Sequence, residues 1–140
     1  MVSRIVSLIA VFMLVAGVGS VAAESGKEKA AVVAAEKWVS LVDQGKYAES
    51  WNEAAEYFRN AVKQEQWEQA VQGVRGPLGK LVSRKVMRTT YTTALPGAPD
   101  GEYVVIEFMT TFENKKAAVE TVTPKMDKDG NWRVSGYFIR

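Results

Sequence analysis

The pattern of side chains changes once along this chain, at the helix-breaking segment Gly76-Pro77-Leu78-Gly79. Before this segment, apolar residues recur at steps of three and four, which is the spacing of one face of an α-helix. After it, β-branched and aromatic residues dominate and turn signals return at short intervals, which is typical of strands. Helices followed by strands predict an α+β fold.

The helical half predicts about three helices. Ser25 and Glu28 have the spacing of a capping box, so a first helix should begin there, and Gly45 stands where a left-handed residue would end it. A second amphipathic helix is expected from Tyr47 to Lys63. A third should cover Gln64 to Arg75 and end at the Gly-Pro segment that follows.

Most aromatic rings of this half lie on the predicted apolar faces. The rings that share those faces are Trp38, Tyr47, Trp51, Phe58 and Trp67, whereas Tyr57 lies off its face. Each such ring can bury about 150 to 250 Å², so we interpret these residues as a core that seats the helices on a sheet. The alternative is that some rings, Trp51 first, line a ligand cavity.

Four strands are expected in the second half, over Leu81–Thr93, Tyr103–Phe112, Ala117–Met126 and Trp132–Ile139. Their connections are short, and a parallel pair would need a crossover of about a dozen residues or more. Neighbouring strands should therefore run antiparallel, and the sheet should be a meander.

Alternation gives two of these strands an apolar face that can meet the helices. The residues concerned are Val104, Ile106 and Phe108 in the second strand, and Trp132, Val134 and Phe138 in the fourth. Gly136 indicates a bend or bulge in the fourth strand, and Pro124 indicates that the third strand is at an edge or bulged. We therefore expect a strongly curved sheet.

Residues 1–23 have the layout of a secretory signal peptide. Arg4 precedes an uncharged stretch that ends in Val21-Ala22-Ala23, a small-residue cleavage pattern. An uncleaved anchor is the competing interpretation, because the stretch approaches the roughly 20 residues that span a bilayer. Cleavage after Ala23 would leave a single domain, residues 24–140, in the periplasm or secreted, without membrane association.

The residue types that are missing exclude much chemistry. The chain has no Cys and no His, so it offers no disulfide, no thiol nucleophile, no Ser-His-Asp arrangement and no imidazole ligand for zinc or copper. Carboxylate, Tyr and Lys are the groups that remain for proton transfer. We expect no metal and no cofactor, and the formal net charge of +2 gives no reason to expect a nucleic-acid partner.

Glu120 is the most informative single residue. It shares a face of the third predicted strand with Ala118 and Val122, so it lies in the interior if that apolar face points inward. A buried carboxylate without a partner is suited to proton transfer, whereas a partner such as Arg84 or Arg88 would make it structural. An exposed or ion-paired Glu120 is favoured over a catalytic one.

A run of basic residues contains no acid between Glu68 and Asp100. Its members are Arg75, Lys80, Arg84, Lys85 and Arg88. The run could bind an anionic ligand or an acidic partner. The interpretation that we favour is a charged edge strand that resists pairing with other sheets.

Five segments carry a resemblance to a known family: AAEKWVSLVDQGKYAESW, RGPLGKLVSRK, LPGAPDGEYVVIEF, FENKKAAVETV and DGNWRVSGYFI. They resemble the small secreted bacterial proteins catalogued as domain of unknown function number four thousand and nineteen, over nearly the whole chain after the leader. That family is similar in layout to the cystatin-like, nuclear-transport-factor-two-like superfamily. The resemblance thus implies a curved sheet around a long first helix, often with a conical pocket.

The same resemblance implies no single function, because the superfamily includes isomerases, dehydratases, dimerisation modules and binding domains. Its enzymes that use an Asp-His pair are a poor match for a chain without His. No catalytic residue is carried over from the family.

Three functions remain open. The first is a non-catalytic exported domain that binds a small amphipathic molecule or an envelope protein. The candidate binding residues are Trp51, Arg84, Arg88 and Glu120. The second is an isomerase or dehydratase in which Glu120 is the base and Tyr91, Tyr103 or Tyr137 donates a hydrogen bond. The third is a structural module that forms a homodimer through its sheet.

Overall fold

A computed structural model describes residues 26–140. In this part of the chain, helices α1 (residues 26–43), α2 (Tyr47–Asn52), α3 (Glu56–Ala61) and α4 (Gln64–Leu78) precede strands β1 (Leu81–Thr92), β2 (Tyr103–Phe112), β3 (Lys115–Met126) and β4 (Trp132–Ile139). The predicted signal peptide and the predicted cap Ser25 lie outside the described residues. Within residues 26–140, no helix has the length and apolarity needed to cross a membrane.

The strands form one antiparallel sheet in the order β1-β2-β3-β4, as the short connections predicted. β1 and β4 are therefore the two edges. The predicted α+β class is confirmed, and the arrangement is consistent with a cystatin-like, nuclear-transport-factor-two-like fold.

The core lies between the helices and the inner face of the sheet. Val104, Ile106 and Phe108 are each at most 1% exposed, which confirms the inner face predicted for β2. Helix residues in the same cluster include Ala31, Ala35, Val39, Val42 and Val71. Burial of this apolar surface, at about 25 cal/mol per Å², is the main stabilising contribution.

The aromatic rings of the helices pack into this core, as predicted. The centroids of Trp38 and Trp67 lie 5.8 Å apart, and Phe58 meets Trp67 edge-on at 5.1 Å. The indole N–H of Trp38 donates to the backbone carbonyl of Ser50 at 2.7 Å. The indole N–H of Trp67 donates to the side-chain Oγ of Ser50 at 2.9 Å. Ser50 thus satisfies two buried donors that would otherwise weaken the core.

The prediction of one helix from Tyr47 to Lys63 is wrong, because two short helices occupy this range. Between them, Ala54 and Ala55 are fully buried, and the N–H of Ala55 donates to the carbonyl of Val134 on β4 at 2.8 Å. An N–H inside an α-helix would instead point at the preceding turn. The packing of Ala54 and Ala55 against β4 therefore interrupts the single helix that the periodic pattern predicted.

Helix α4 runs to Leu78, so Gly76 and Pro77 lie inside its last turn and not beyond its end as predicted. Gly79, with φ of 76°, is the residue that ends it. A Cβ built on Gly79 would lie 3.0 Å from Cβ of Glu113. Both the left-handed backbone and this close approach favour glycine.

A bulge between β3 and β4 bends the sheet. Thr123 pairs with Gly136 and Pro124 pairs with Val134, so Ser135 has no partner on β3. The irregularity lies where Pro124 and Gly136 predicted it. β3 is an inner strand, so of the two alternatives that Pro124 left open, an edge position or a bulge, the bulge is the one that the structure has.

This bulge also overturns the face predicted for the end of β4. The extra residue shifts the alternation by one, so Val134 and Tyr137 face the core while Phe138 faces outward. Phe138 is 57% exposed. Strict alternation counted along the sequence could not include this shift.

Candidate functional site

Six polar side chains from six elements meet on the inner face of the sheet. They are Asp43 at the end of α1, Arg75 on α4, Arg84 on β1, Thr110 on β2, Glu120 on β3 and Tyr137 on β4. We call this group the buried charge cluster. Its two acids and two bases balance, which reduces the free-energy cost of placing charges in the interior.

Arg84 is the centre of the cluster. Its guanidinium donates to Glu120 through Nε at 2.6 Å and Nη2 at 3.2 Å, and to Asp43 through Nη1 at 2.7 Å and Nη2 at 2.9 Å. Burial alone would lower the pKa of Arg84, but the two carboxylates outweigh burial and raise it above its usual value. The guanidinium thus remains charged and binds two carboxylates, each through two hydrogen bonds.

Glu120 is fully buried and receives four hydrogen bonds. Two come from Arg84, one comes from the Thr110 hydroxyl at 2.6 Å, and one comes from the Tyr137 hydroxyl. A carboxylate has about four lone-pair sites for such bonds. Its acceptor capacity is therefore filled by the protein itself.

Arg75 and Asp43 join the helices to this arrangement. Arg75 donates to Asp43 at 2.8 Å and to the Tyr137 hydroxyl at 3.4 Å, and its guanidinium lies 4.7 Å from the centroid of the Phe112 ring. Burial raises the pKa of Asp43, but Arg84 and Arg75 outweigh burial and hold that pKa below its usual value. Among the described residues, Nε of Arg75 is buried without a hydrogen-bond partner.

The structure brings together two of the four predicted binding residues, Arg84 and Glu120. Arg88 instead pairs with Glu107 at 3.2 Å, and its side chain is 67% exposed. Trp51 is half-buried against the core, and its indole N–H donates to the carbonyl of Val62 at 2.7 Å. Both residues thus have contacts that do not involve the buried charge cluster.

Sequence reasoning missed Asp43 and Thr110 as members of this cluster. Asp43 directly follows the buried Val42, so its place at the border of an apolar helix face was the available signal. Thr110 lies on the inner face of β2, two residues after Phe108, and it is fully buried. Nothing in the residue pattern distinguished it as a member of the cluster. Within the described residues, no group of three or more acidic side chains is arranged to hold a metal ion.

A groove of about 210 Å³ lies at the surface between α4 and β4. Its lining residues are Trp67, Ala70, Val71, Val74, Tyr137, Phe138 and Ile139. Val74 is 50% exposed and Phe138 is 57% exposed. We call it the α4–β4 groove, and its lining carries apolar and aromatic side chains without a charged group.

The edge of β4 beside this groove is open. Arg140 exchanges both backbone hydrogen bonds with Val119, at 2.9 and 3.0 Å. Hydrogen-bonded and non-hydrogen-bonded residue pairs alternate along an antiparallel ladder. Ile139 and Tyr137 are therefore in non-hydrogen-bonded pairs with β3, and their backbone N–H and C=O groups point away from β3. No backbone partner meets them in residues 26–140, whereas the carbonyl of Val134 nearer the strand start is bonded to Ala55.

The model of a family described as "Protein of unknown function (DUF4019)" matches residues 34–137. The matched range contains all members of the buried charge cluster and most of the α4–β4 groove. No curated protein and no solved structure matches the chain.

Proposed function

Because the chain belongs to the DUF4019 family of proteins of unknown function, we propose a function from its own structure. The protein is an exported, non-catalytic domain that binds another protein, and it does so by adding a strand of that partner to the open edge of β4. The leader pattern of residues 1–23 supports export to the periplasm or beyond.

The saturation of Glu120 supports a non-catalytic role. A general base must reach the proton of a substrate within hydrogen-bond distance. Glu120 is fully buried and accepts hydrogen bonds from Arg84, Thr110 and Tyr137. It would have to lose one of these bonds before it could accept a proton, so we assign it a structural role.

The filling of the interior supports a protein partner over a small amphipathic molecule. On the inner face of the sheet, the buried charge cluster stands beside the Trp38, Trp67 and Tyr137 rings, whose centroids lie 5.5 to 6.4 Å apart. The interior is thus packed by its own charged and aromatic side chains, and the α4–β4 groove offers an apolar surface directly beside the open edge of β4.

The open edge of β4 is the observation that carries the proposal. An extended segment could bond to the outward backbone groups of Tyr137 and Ile139, and its alternate side chains would point into the α4–β4 groove. The opposite edge strand, β1, carries Arg84, Lys85 and Arg88, the kind of charged residues that deter strand addition. The stretch from Tyr137 to Ile139 has no such protection.

Peptides selected from a displayed random library would test this function. We expect a selected peptide to bind the purified protein, to protect the Tyr137 and Ile139 amides from hydrogen exchange, and to lose affinity when its alternate amides are N-methylated. Val74→Glu should weaken binding at least about tenfold, because it places a charge in the groove.

Val33→Glu is the matched control, because Val33 is 67% exposed on α1 and does not line the groove. Equal affinity of the Val74→Glu and wild-type proteins, or binding that leaves both amides unprotected, would overturn the assignment to β4. Export is tested separately by the intact mass of the protein recovered outside the cytoplasm. We expect the mass of a chain that begins at Glu24. The mass of a chain that begins at Met1 would contradict cleavage.

A further inference from the structure

The open segment of β4 is symmetric about Phe138. Tyr137 and Ile139, the residues with outward backbone groups, lie on either side of it. We infer that the strand added to β4 is β4 of a second copy of this chain, so that two sheets join into one across a two-fold axis at Phe138. This inference rests on the proposed strand addition.

The register satisfies the backbone of both strands. An antiparallel pair centred on Phe138 places Tyr137 of each copy opposite Ile139 of the other. Each of these pairs can exchange two hydrogen bonds, because both residues present their N–H and C=O groups outward. A shift of the register by one residue would set an outward group against an inward one and lose these bonds.

The side chains of this register are compatible with self-pairing. Phe138 would face its own copy in the closely spaced, non-hydrogen-bonded position, where aromatic pairs stabilise a sheet. The ring is 57% exposed and would be covered. Arg140 would lie opposite Gly136, so no like charges face each other.

A second copy also accounts for the exposed surface of α4, which a single added peptide strand would leave bare. Small or apolar residues recur there at steps of three and four: Ala70, Gly73, Val74 and Pro77. No atom lies within 4 Å of the position that a Cβ of Gly73 would occupy. Such a stripe beside the α4–β4 groove allows two α4 helices to approach closely across the axis.

The absence of charge from this stripe and from Tyr137 to Ile139 favours a copy of the same chain as the partner. A two-fold interface sets a patch against itself. A charged patch would repel its copy, whereas the α4 stripe and the open stretch of β4 carry no acid and no base. They can therefore pair with themselves without electrostatic cost.

A charged substitution at the axis tests the inference on the purified exported protein. In sedimentation velocity, we expect the wild type to be a dimer and Phe138→Glu to raise the dimer dissociation constant by more than about tenfold, because it opposes two carboxylates. Met109→Glu is the control, since Met109 is 46% exposed but lies on β2. Circular dichroism establishes that each variant is folded.

The cysteine-free sequence allows a direct geometric test. Phe138→Cys should form a disulfide-linked dimer under mild oxidation, because a non-hydrogen-bonded pair brings the two Cα atoms to about 4.5 Å, within the roughly 4.4 to 6.8 Å that a disulfide spans. Met109→Cys should stay uncrosslinked. A monomeric wild type, or a dimer that neither Phe138→Glu weakens nor Phe138→Cys links, would overturn the inference.

The peptide assay, run on protein diluted below the dimer dissociation constant so that the Tyr137 and Ile139 backbone groups are free, separates this failure from that of the proposed function. A monomer that still binds selected peptides at β4 leaves strand addition intact and makes a foreign protein the partner. A monomer that binds no peptide at β4 overturns both proposals.

Discussion

Arg84 and Glu120 are bonded to each other across a strand that lies between them. Arg84 stands on β1 and Glu120 on β3, and Nε and Oε1 are 2.6 Å apart. On the intervening β2, Thr110 donates to the same oxygen. Through Asp43, the same guanidinium also reaches the end of α1. One ion pair thus ties three strands and a helix together.

Glu120→Gln should lower the free energy of unfolding by about 3 kcal/mol, because removal of one partner of a buried ion pair costs about 3 to 5 kcal/mol and Arg84 retains Asp43. Urea denaturation followed by tryptophan fluorescence measures this change. The control is Glu36→Gln on the exposed side of α1, which should change stability by less than about 0.5 kcal/mol. Equal effects of the two substitutions would show that the ion pair does not stabilise the fold.

Asp43 should make the stability of the protein depend on pH on the acid side. Its pKa is lowered in the folded state, so its contribution is present above the unfolded pKa of about 3.9 and is lost as pH falls through the folded pKa. The stability difference between wild type and Asp43→Asn should therefore be constant at neutral pH and shrink below about pH 4. Denaturation curves over this range measure it, and a difference that persists unchanged in acid would refute the linkage.

Tyr137 should act at alkaline pH. Burial and the charge of Glu120 raise the pKa of Tyr137, so the folded protein favours the protonated phenol. Its contribution is present below the unfolded pKa of about 10 and is lost as pH rises toward the folded pKa. Wild type should therefore lose stability relative to Tyr137→Phe above about pH 10.

At neutral pH, Tyr137→Phe should destabilise the protein by about 1.5 to 3 kcal/mol, the range for a hydrogen bond to a charged group. Tyr57→Phe is the matched control, because Tyr57 is 37% exposed and its hydroxyl donates to a surface carbonyl at 3.2 Å. The alkaline effect should be absent from this control pair. If wild type also lost stability relative to Tyr57→Phe at alkaline pH, the effect would belong to tyrosine ionisation in general and not to the buried position of Tyr137.

Ser50→Ala should destabilise the helical half by about 1 to 3 kcal/mol, because it leaves the buried indole N–H of Trp67 without an acceptor. The bond from Trp38 goes to the Ser50 carbonyl and should persist. Thermal unfolding followed by circular dichroism measures the loss. Ser83→Ala, at an exposed position of β1, should have little effect.

The order of elements, the antiparallel meander and the inner face of β2 could all be predicted from the sequence, because each depends on local periodicity and on short connections. The split of the second helix could not, because the bond from Ala55 to Val134 joins residues far apart in the chain. The outward position of Phe138 was missed for a related reason. A bulge is a property of the pairing of two strands and not of one strand's pattern.

The α+β class and the faces that most elements bury could be predicted from the residues alone, and Glu120 beside Ala118 and Val122 was interior only on the condition that their face points inward. The three-dimensional arrangement was needed to show that Glu120 is buried, that Arg84 joins it to Asp43 and Arg75, and that β4 remains an open edge from Tyr137 to Ile139. The physical reason is distance along the chain. Periodicity records how each element meets its own core, whereas ion pairs and open edges depend on how distant elements are placed in space.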